Sequence, residues 1–281
     1  MGEQVRFHGR DVMLAGERWP AVGGEPLGVV LLLHGGGQTR HSWHRAAERL
    51  AGEGWTTLTL DARGHGESQW APDGDYSSDA LVADLTAVIE QIGAPPVLVG
   101  ASMGGMTSLL AQGENSALAR ALVLVDIVPR IEPDGVKRIT DFMSANPDGF
   151  ASLDEVADAV RAYNPHRNRP PSPDGLRKNV RQGADGRWRW HWDPAFLTIG
   201  DEPGRAVRAD RARVAAGRLT VPTLLVRGAQ TDIVSDEGVA ELTELVAHAE
   251  YVEVDGTGHM VAGDDNDVFT KRVLEFLATQ V

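Results

Sequence analysis

The run Val29-Val30-Leu31-Leu32-Leu33 has no polar face and stops at Gly35-Gly36-Gly37. A short strand of that kind must be covered on both sides, which calls for a parallel sheet with helices on each face. The theme recurs. Thr56–Leu60, Pro96–Val99, Ala121–Val125, Thr223–Val226 and Tyr251–Val254 read as strands. Helical patterns over Ser42–Gly52, Ser78–Ile92, Met103–Gln112, Asp236–Ala247 and Asp265–Thr279 alternate with them. The first stretch, Val5–Arg18, reads as a hairpin turning near His8-Gly9-Arg10. Alternation of this kind implies an α/β chain with a mostly parallel sheet flanked by helices.

The rhythm lapses between Ile127 and about Arg218. Helical patterns remain around Leu153–Tyr163 and Glu202–Ala216, with a Pro- and Arg-rich stretch over Asn164–Lys178 and then Trp188-Arg189-Trp190-His191-Trp192. This region reads as an inserted helical cap. The expected division is a core of residues 1–126 and 219–281 with a cap of residues 127–218.

Bulk properties narrow the function. The 281 residues carry a formal net charge of −13, which disfavours a phosphate-backbone partner. With no cysteine, thiolate catalysis, disulfides and Cys-ligated zinc are excluded. Arginine is far commoner than lysine, which suggests a GC-rich bacterial genome. The N-terminal MGEQVRFHGR lacks the apolar core of a signal peptide, and no run approaches the ~20 apolar residues of a membrane span. A cytoplasmic protein is expected, bound to neither nucleic acid nor membrane; a homo-oligomer is compatible with the sequence.

The sharpest motif is Gly100-Ala101-Ser102-Met103-Gly104, a G-x-S-x-G pattern between an apolar strand and a helix. That context puts Ser102 on a tight strand-to-helix turn, with its hydroxyl in the cleft and a helix N-terminus behind it. The bland alternative is a chance Gly-Ser turn. A serine hydroxyl needs a base to become a nucleophile. Among nine histidines, His259 sits on the Gly-rich loop Gly256-Thr257-Gly258-His259 after the last strand. A surface loop histidine is the competing reading. The base in turn needs an acid. Asp232 follows the Thr223–Val226 strand and gives the chain order Ser, Asp, His. Asp126, at the end of the preceding strand, is the competitor; tying down the cap hinge or lining the cleft floor is its expected role. For an oxyanion, backbone N–H donors are required. Met103 and Gly36 are the expected pair, with Gly37 the alternative to Gly36. His34 is expected beneath the loop in a structural role.

Taken in order, His34-Gly35-Gly36-Gly37, Asp61-Ala62-Arg63-Gly64-His65-Gly66-Glu67-Ser68, the Ser102 turn, Asp232 and Gly258-His259 resemble the α/β-hydrolase superfamily. Within it the chain is similar to a capped bacterial group of esterases, cofactor-free haloperoxidases (perhydrolases) and epoxide-hydrolase-like proteins. The resemblance implies the α/β-hydrolase fold and a scaffold role for Asp61, Arg63 and His65. It implies hydrolysis of small-molecule carboxylic esters, including small or aromatic monoesters, through an acyl-enzyme, with no cofactor or metal. Lactone, thioester or C–C bond hydrolysis and perhydrolysis are the alternatives. Epoxide hydrolases and haloalkane dehalogenases place Asp where this chain has Ser102, and the cap offers only Tyr163, so both activities are disfavoured. Trp188, Trp190 and Trp192 share one face if the segment is extended. An apolar substrate wall including Trp190 and Trp192 is the functional expectation; gluing cap to core is the simpler role for at least two of the three. The basic residues Arg161, His166, Arg167 and Arg169 read as a solvated cap surface, with attraction of a carboxylate-bearing substrate the alternative.

Overall fold

The computed structural model describes residues 2–163, 172–199, 202–259 and 267–281. Its strands are β1 (Glu3–His8), β2 (Met13–Trp19), β3 (Val29–Leu33), β4 (Thr56–Leu60), β5 (Val97–Ala101), β6 (Ala121–Val125), β9 (Thr223–Gly228) and β10 (Glu250–Val254). They form one sheet in the order β1-β2-β4-β3-β5-β6-β9-β10. The β1/β2 and β2/β4 pairs are antiparallel and all others parallel. The hairpin reading of the first residues and the parallel reading of the rest therefore meet at β2.

Period-two alternation along the strands sorts side chains between two helical layers. Leu31, Leu33, Leu98, Leu122 and Leu124 face α2 (Ser78–Ile92), α3 (Met103–Glu114) and α7 (Asp236–Leu245). Val30, Leu32, Val97, Val99, Val123 and Val125 face α1 (His44–Gly52) and α8 (Asp267–Gln280). Each such fully buried side chain contributes ~1.5–3 kcal/mol. Ser77 caps α2 by accepting the Ala80 N–H, and Gly93 ends it in a left-handed conformation at φ 78°.

Between β6 and β9 the chain forms α4 (Pro133–Ser144), α5 (Leu153–Tyr163), a small antiparallel pair of β7 (Val180–Gln182) and β8 (Trp188–Trp190), and α6 (Glu202–Ala216). This insertion has a small core of its own, with Phe150, Leu153, Val156, Leu176 and Val180 packed against Trp188 and Trp190. α6 behaves differently: Ala212, Ala215 and Ala216 are buried with α2 and α3 in the main core. The α4 helix and the β7/β8 pair are absent from the sequence reading. Among the described residues, no helix is long and apolar enough to cross a membrane.

The sheet order reverses direction at β3: β4 lies on one side of it and β5 on the other. In open α/β sheets the ligand crevice lies beyond the carboxyl ends of the strands at such a switch point. The loop after β3 begins at His34, and the turn after β5 carries Ser102. The two segments singled out from sequence therefore flank the crevice.

Candidate active site

Among the described residues, two non-glycine positions have positive φ: Ser102 at 46° and Asp126 at 50°. Left-handed backbone at such residues costs on the order of 1–3 kcal/mol each and persists only where the surroundings enforce it. At Ser102 the enforcement is visible. Its N–H donates to Val125 O (3.1 Å), continuing the β5–β6 ladder, and its C=O accepts from Met106 N–H (2.8 Å), opening α3. The turn needs small neighbours. A Cβ on Gly100 would lie 2.5 Å from the Gly104 backbone, and one on Gly104 2.5 Å from the Leu33 carbonyl.

The structure pairs His259 with Asp126, the competitor in the sequence reading, and not with Asp232. His259 Nδ1 lies 2.7 Å from Asp126 Oδ2, and Asp232 is elsewhere. Asp126 ends a fully buried strand and is itself fully buried, so its carboxylate must find partners inside. It finds three. Gly228 N–H donates to Oδ1 (3.0 Å), and the Thr231 hydroxyl and His259 Nδ1–H donate to Oδ2 (2.6 and 2.7 Å). Asp232 is 42% exposed and accepts from Arg138 of α4 at 2.6 and 2.8 Å. The Arg138 guanidinium holds the Asp232 carboxyl below its ordinary range. Both aspartates satisfy the order Ser, Asp, His; what separated them was Arg138, whose proximity no sequence signal gives. The signal that was present is Asp126 itself, a carboxylate placed directly after Ala121-Leu122-Val123-Leu124-Val125 with no loop to carry it outward.

In the loop after β3, the Gly37 N–H donates to His65 Nε2 (3.1 Å) and the Gly35 N–H to Gln38 Oε1 (3.1 Å). Among the described residues no hydrogen bond engages the Gly36 N–H or that of Met103, the first residue of α3. Of the two glycines weighed from sequence, Gly36 is thus the one whose amide is open. Gly37 sits at φ 73° beneath Met143 and Trp192. His34 lies under the loop as expected: its Nδ1–H donates to Gly35 O (2.8 Å) and its Nε2 accepts Ala62 N–H (3.0 Å). The Asp61–Ser68 loop is held by buried ion pairs. Asp61 accepts from the Arg40 side chain and from the Arg40 and Glu67 amides, while Arg63 reaches Asp84 (2.6 and 2.8 Å) and Asp11 (2.7 Å).

Ser102, Met103, Gly36, Gly37 and His259 line one cavity of about 1170 Å³ beneath the insertion between β6 and β9. Its walls are largely apolar and include Met106, Ile131, Ile139, Phe142, Trp190 and Trp192. Trp190 and Trp192 stack at 4.9 Å with 13° between their planes. Trp188 is not on this wall. It lies under the Arg177 guanidinium and pairs its backbone with Phe150. Sequence reasoning missed Phe142 and Met143, because α4 was not recognised, and missed Thr231. Tyr163 stacks on Phe142 at 4.2 Å. Arg161 pairs with Asp158 on the surface; His166, Arg167 and Arg169 lie outside the described residues. A hydroxyl on a strained turn, an imidazole with its Nδ1 hydrogen-bonded to a buried carboxylate, and two open amides can together carry acyl transfer. Among the described residues, no group of three or more His, Asp or Glu is arranged to hold a metal ion.

Known proteins share this framework. The sequence matches the family described as alpha/beta hydrolase fold over residues 28–265. It is 33% identical over 243 residues to Esterase Rv0045c of Mycobacterium tuberculosis, covering 84% of this chain and 78% of that protein. It is 28% identical to the 3-hydroxybutyrate-oligomer hydrolase of Cupriavidus necator over 82% of each chain. The crystal structure of E-2-(acetamidomethylene)succinate hydrolase superposes with a TM-score of 0.82 over 99% of this chain and 100% of that one, at 22% identity, a likeness of fold alone. The strand order, the strained serine turn and the matched residues lead to one assignment: the chain belongs to the α/β-hydrolase-fold family and is a hydrolase of that fold.

Proposed function

We propose that this chain hydrolyses carboxylic esters through an acyl-enzyme on Ser102, with His259 as general base and Asp126 as its acid. The observation that carries the reading is the 2.7 Å bond from His259 Nδ1 to the buried Asp126, made at the edge of the cavity that Ser102 lines. An ionised carboxylate only accepts hydrogen bonds, so it fixes the proton on Nδ1 and leaves the Nε2 lone pair for the serine hydroxyl.

In this mechanism His259 Nε2 takes the proton as Ser102 Oγ bonds to the ester carbonyl carbon. The carbonyl π electrons move to oxygen, and the Gly36 and Met103 N–H groups hold the resulting oxyanion. The positive end of α3 points at the same place. Collapse breaks the bond to the alkoxy oxygen, which leaves with the proton from His259. Water then repeats the sequence on the acyl-enzyme, giving up its proton to His259 and releasing the acid. Asp126 stays ionised and stabilises the imidazolium. The size and apolar lining of the cavity favour esters with a sizeable apolar group. The names of the two sequence relatives, an esterase and an oligomer hydrolase, support ester chemistry.

The test is a series of p-nitrophenyl esters from acetate to decanoate, with and without a serine-directed phosphonate, on the wild type and Ser102→Ala. Ester hydrolysis that needs Ser102 and is stopped by phosphonate supports the reading. Equal turnover by Ser102→Ala overturns it. Peroxide added to the same assay reads out perhydrolysis, the alternative left open by the sequence.

A further inference from the structure

Three consecutive peptides set the direction of the Gly36 N–H, and each is held by a different imidazole. In a trans peptide the C=O and N–H point opposite ways, so fixing the Gly35 carbonyl aims the Gly36 N–H. That carbonyl accepts from His34 Nδ1 (2.8 Å) and from the Gln38 N–H (3.1 Å). The next peptide is fixed by the Gly37 N–H donating to His65 Nε2 (3.1 Å). The third joins Gly37 to Gln38; its carbonyl lies 3.3 Å from His191 Nε2, and its N–H is the one that holds Gly35 O. His34 and His65 come from core loops. His191 belongs to the insertion, one residue beyond β8.

Hydrogen bonding fixes the state of His191. The Gly66 N–H donates to its Nδ1 (2.8 Å), so the ring proton sits on Nε2 and is directed to Gly37 O. Docking of this segment does not depend on that second bond. Asp193 beside it accepts from the Tyr76 hydroxyl (2.5 Å), and its N–H donates to Gly64 O (2.9 Å). Trp192 is buried on Gly37 and stacked on Trp190. The bond from His191 Nε2 to Gly37 O is addressed to the loop that carries Gly36.

We propose that His191 is a positioning residue for the oxyanion hole, through which the docked cap sets the aim of the Gly36 amide. The inference rests on the esterase reading above. It gives the insertion a part in the rate of the chemical step in addition to any part in substrate choice. Burial lowers the proton affinity of all three imidazoles, consistent with each accepting an N–H.

Two isosteric changes separate the bonds. In His191→Gln the amide nitrogen takes the place of Nε2 and still donates to Gly37 O, while the acceptor for Gly66 is lost. In His191→Asn the amide oxygen takes the place of Nδ1, and the donor to Gly37 is lost. Removing an oxyanion donor outright costs ~10²–10³ in kcat, so misaiming one costs part of that. With a p-nitrophenyl ester, His191→Asn should lose about ten- to fiftyfold in kcat with KM changing less than twofold. Its affinity for a trifluoromethyl ketone, whose hemiketal oxygen occupies the oxyanion site, should fall by a similar factor. His191→Gln should stay within about threefold of wild type in both.

Equal losses in the two variants, or a loss confined to thermal stability, overturn the inference while Ser102-dependent hydrolysis stands. Wild-type turnover that does not need Ser102 overturns the esterase reading and this inference together. Should His191→Asn fail to fold, imidazole nitrogen NMR of the wild type decides. An Nε2–H tautomer at His191 whose resonance moves on formation of the ketone adduct, while that of His248, an exposed ring bonded to Val221 O away from the cavity, stays, supports the inference. An Nδ1–H tautomer, or no movement, overturns it.

Discussion

Replacing Asp126 by asparagine exchanges an acceptor-only group for one that must also donate, at a fully buried position where all three partners are donors. With the amide oxygen toward Gly228 N–H, the NH₂ faces Thr231 and His259. The threonine hydroxyl can rotate to accept. His259 can accept only by moving its proton from Nδ1 to Nε2, which protonates the nitrogen required as base. Turning the amide over to save the tautomer opposes its NH₂ to the Gly228 N–H, a buried clash of donors costing ~1–3 kcal/mol. The wrong tautomer is therefore favoured, and the counter-charge for the imidazolium is gone in either case. The same change in the chymotrypsin-type triad costs ~10⁴ in kcat, equivalent to about 5 kcal/mol of barrier. Asp126→Asn should lose three to four orders of magnitude, as about 10³–10⁴ in kcat, with KM little changed. Asp232→Asn removes a half-exposed pair with Arg138, worth at most ~1 kcal/mol. It should shift the melting temperature by no more than a few degrees and leave kcat within about threefold. Steady-state kinetics on one chromogenic ester, with a melt for each variant, decides between them. The reverse ranking would refute the assignment of the acid made here.

Ser102→Ala should abolish ester turnover, and because alanine keeps the Cβ that makes φ 46° costly its melting temperature should stay within a few degrees of the wild type, whereas Ser102→Gly relieves the strain and should melt no lower than Ser102→Ala; a Ser102→Gly variant markedly less stable than Ser102→Ala would contradict the strain argument. Trp190→Ala should alter relative kcat/KM across an ester series by ~1–3 kcal/mol per discriminating step, whereas Trp188→Ala, off the cavity wall, should scale all substrates alike; identical profiles for the two would remove Trp190 from the pocket. Acid should unfold the protein early. Burial pushes His65 down to about 3, and it lowers His34 and His191 in the same direction; Asp61 faces His34 and His65, Arg40 faces His34, and Arg181 faces His191. The folded chain keeps these rings neutral while the unfolded chain takes up protons near pH 6.5. The His65 contribution is intact above that pH and is lost as pH falls toward 3, at up to ~1.4 kcal/mol per unit, and His34 and His191 act in the same direction. Urea midpoints between pH 7.5 and 5 should show the slope, shallower in His65→Gln; an unchanged slope would exclude His65 as a contributor.

The α/β core was readable because its information is local. An apolar run bounded by glycine is a buried strand whatever surrounds it, and Gly100-Ala101-Ser102-Met103-Gly104 carries in its own small residues the reason for a tight turn. That His259 reaches the cavity lined by Ser102 was readable from its place on a Gly-rich loop after the last strand. Its carboxylate partner was not, because two aspartates followed neighbouring strands and the choice turned on Arg138, which lies 94 residues from Asp232 in sequence. The insertion was poorly readable for a similar reason. Pro133 suits the first position of α4, but Glu132 before it gives no side-chain cap and Gly135 is a weak helix former; Gly135 is required there because a Cβ would strike the backbone at Asp232. The role of His191 was hidden because an imidazole that fixes another loop's peptide leaves no periodic trace.

The way α6 returns to the core sets a boundary on inheritance. Gly113 of α3 lies so close to Ala215 of α6 that no side chain fits between the two backbones. Arg211 ties α6 to Glu114 of α3 and Asp79 of α2, and Arg213 ties it to Glu241 of α7. A lineage can therefore exchange the stretch from α5 through β8 as a cassette and acquire a new substrate range, while α4 stays, because its Gly135 packs on the backbone at Asp232. It cannot exchange α6 with it, because that helix is keyed to the one that Ser102 begins. Chimeras that keep α4, His191 and α6 should retain a working serine, and those joined after α6 should disturb α3 before any substrate is bound.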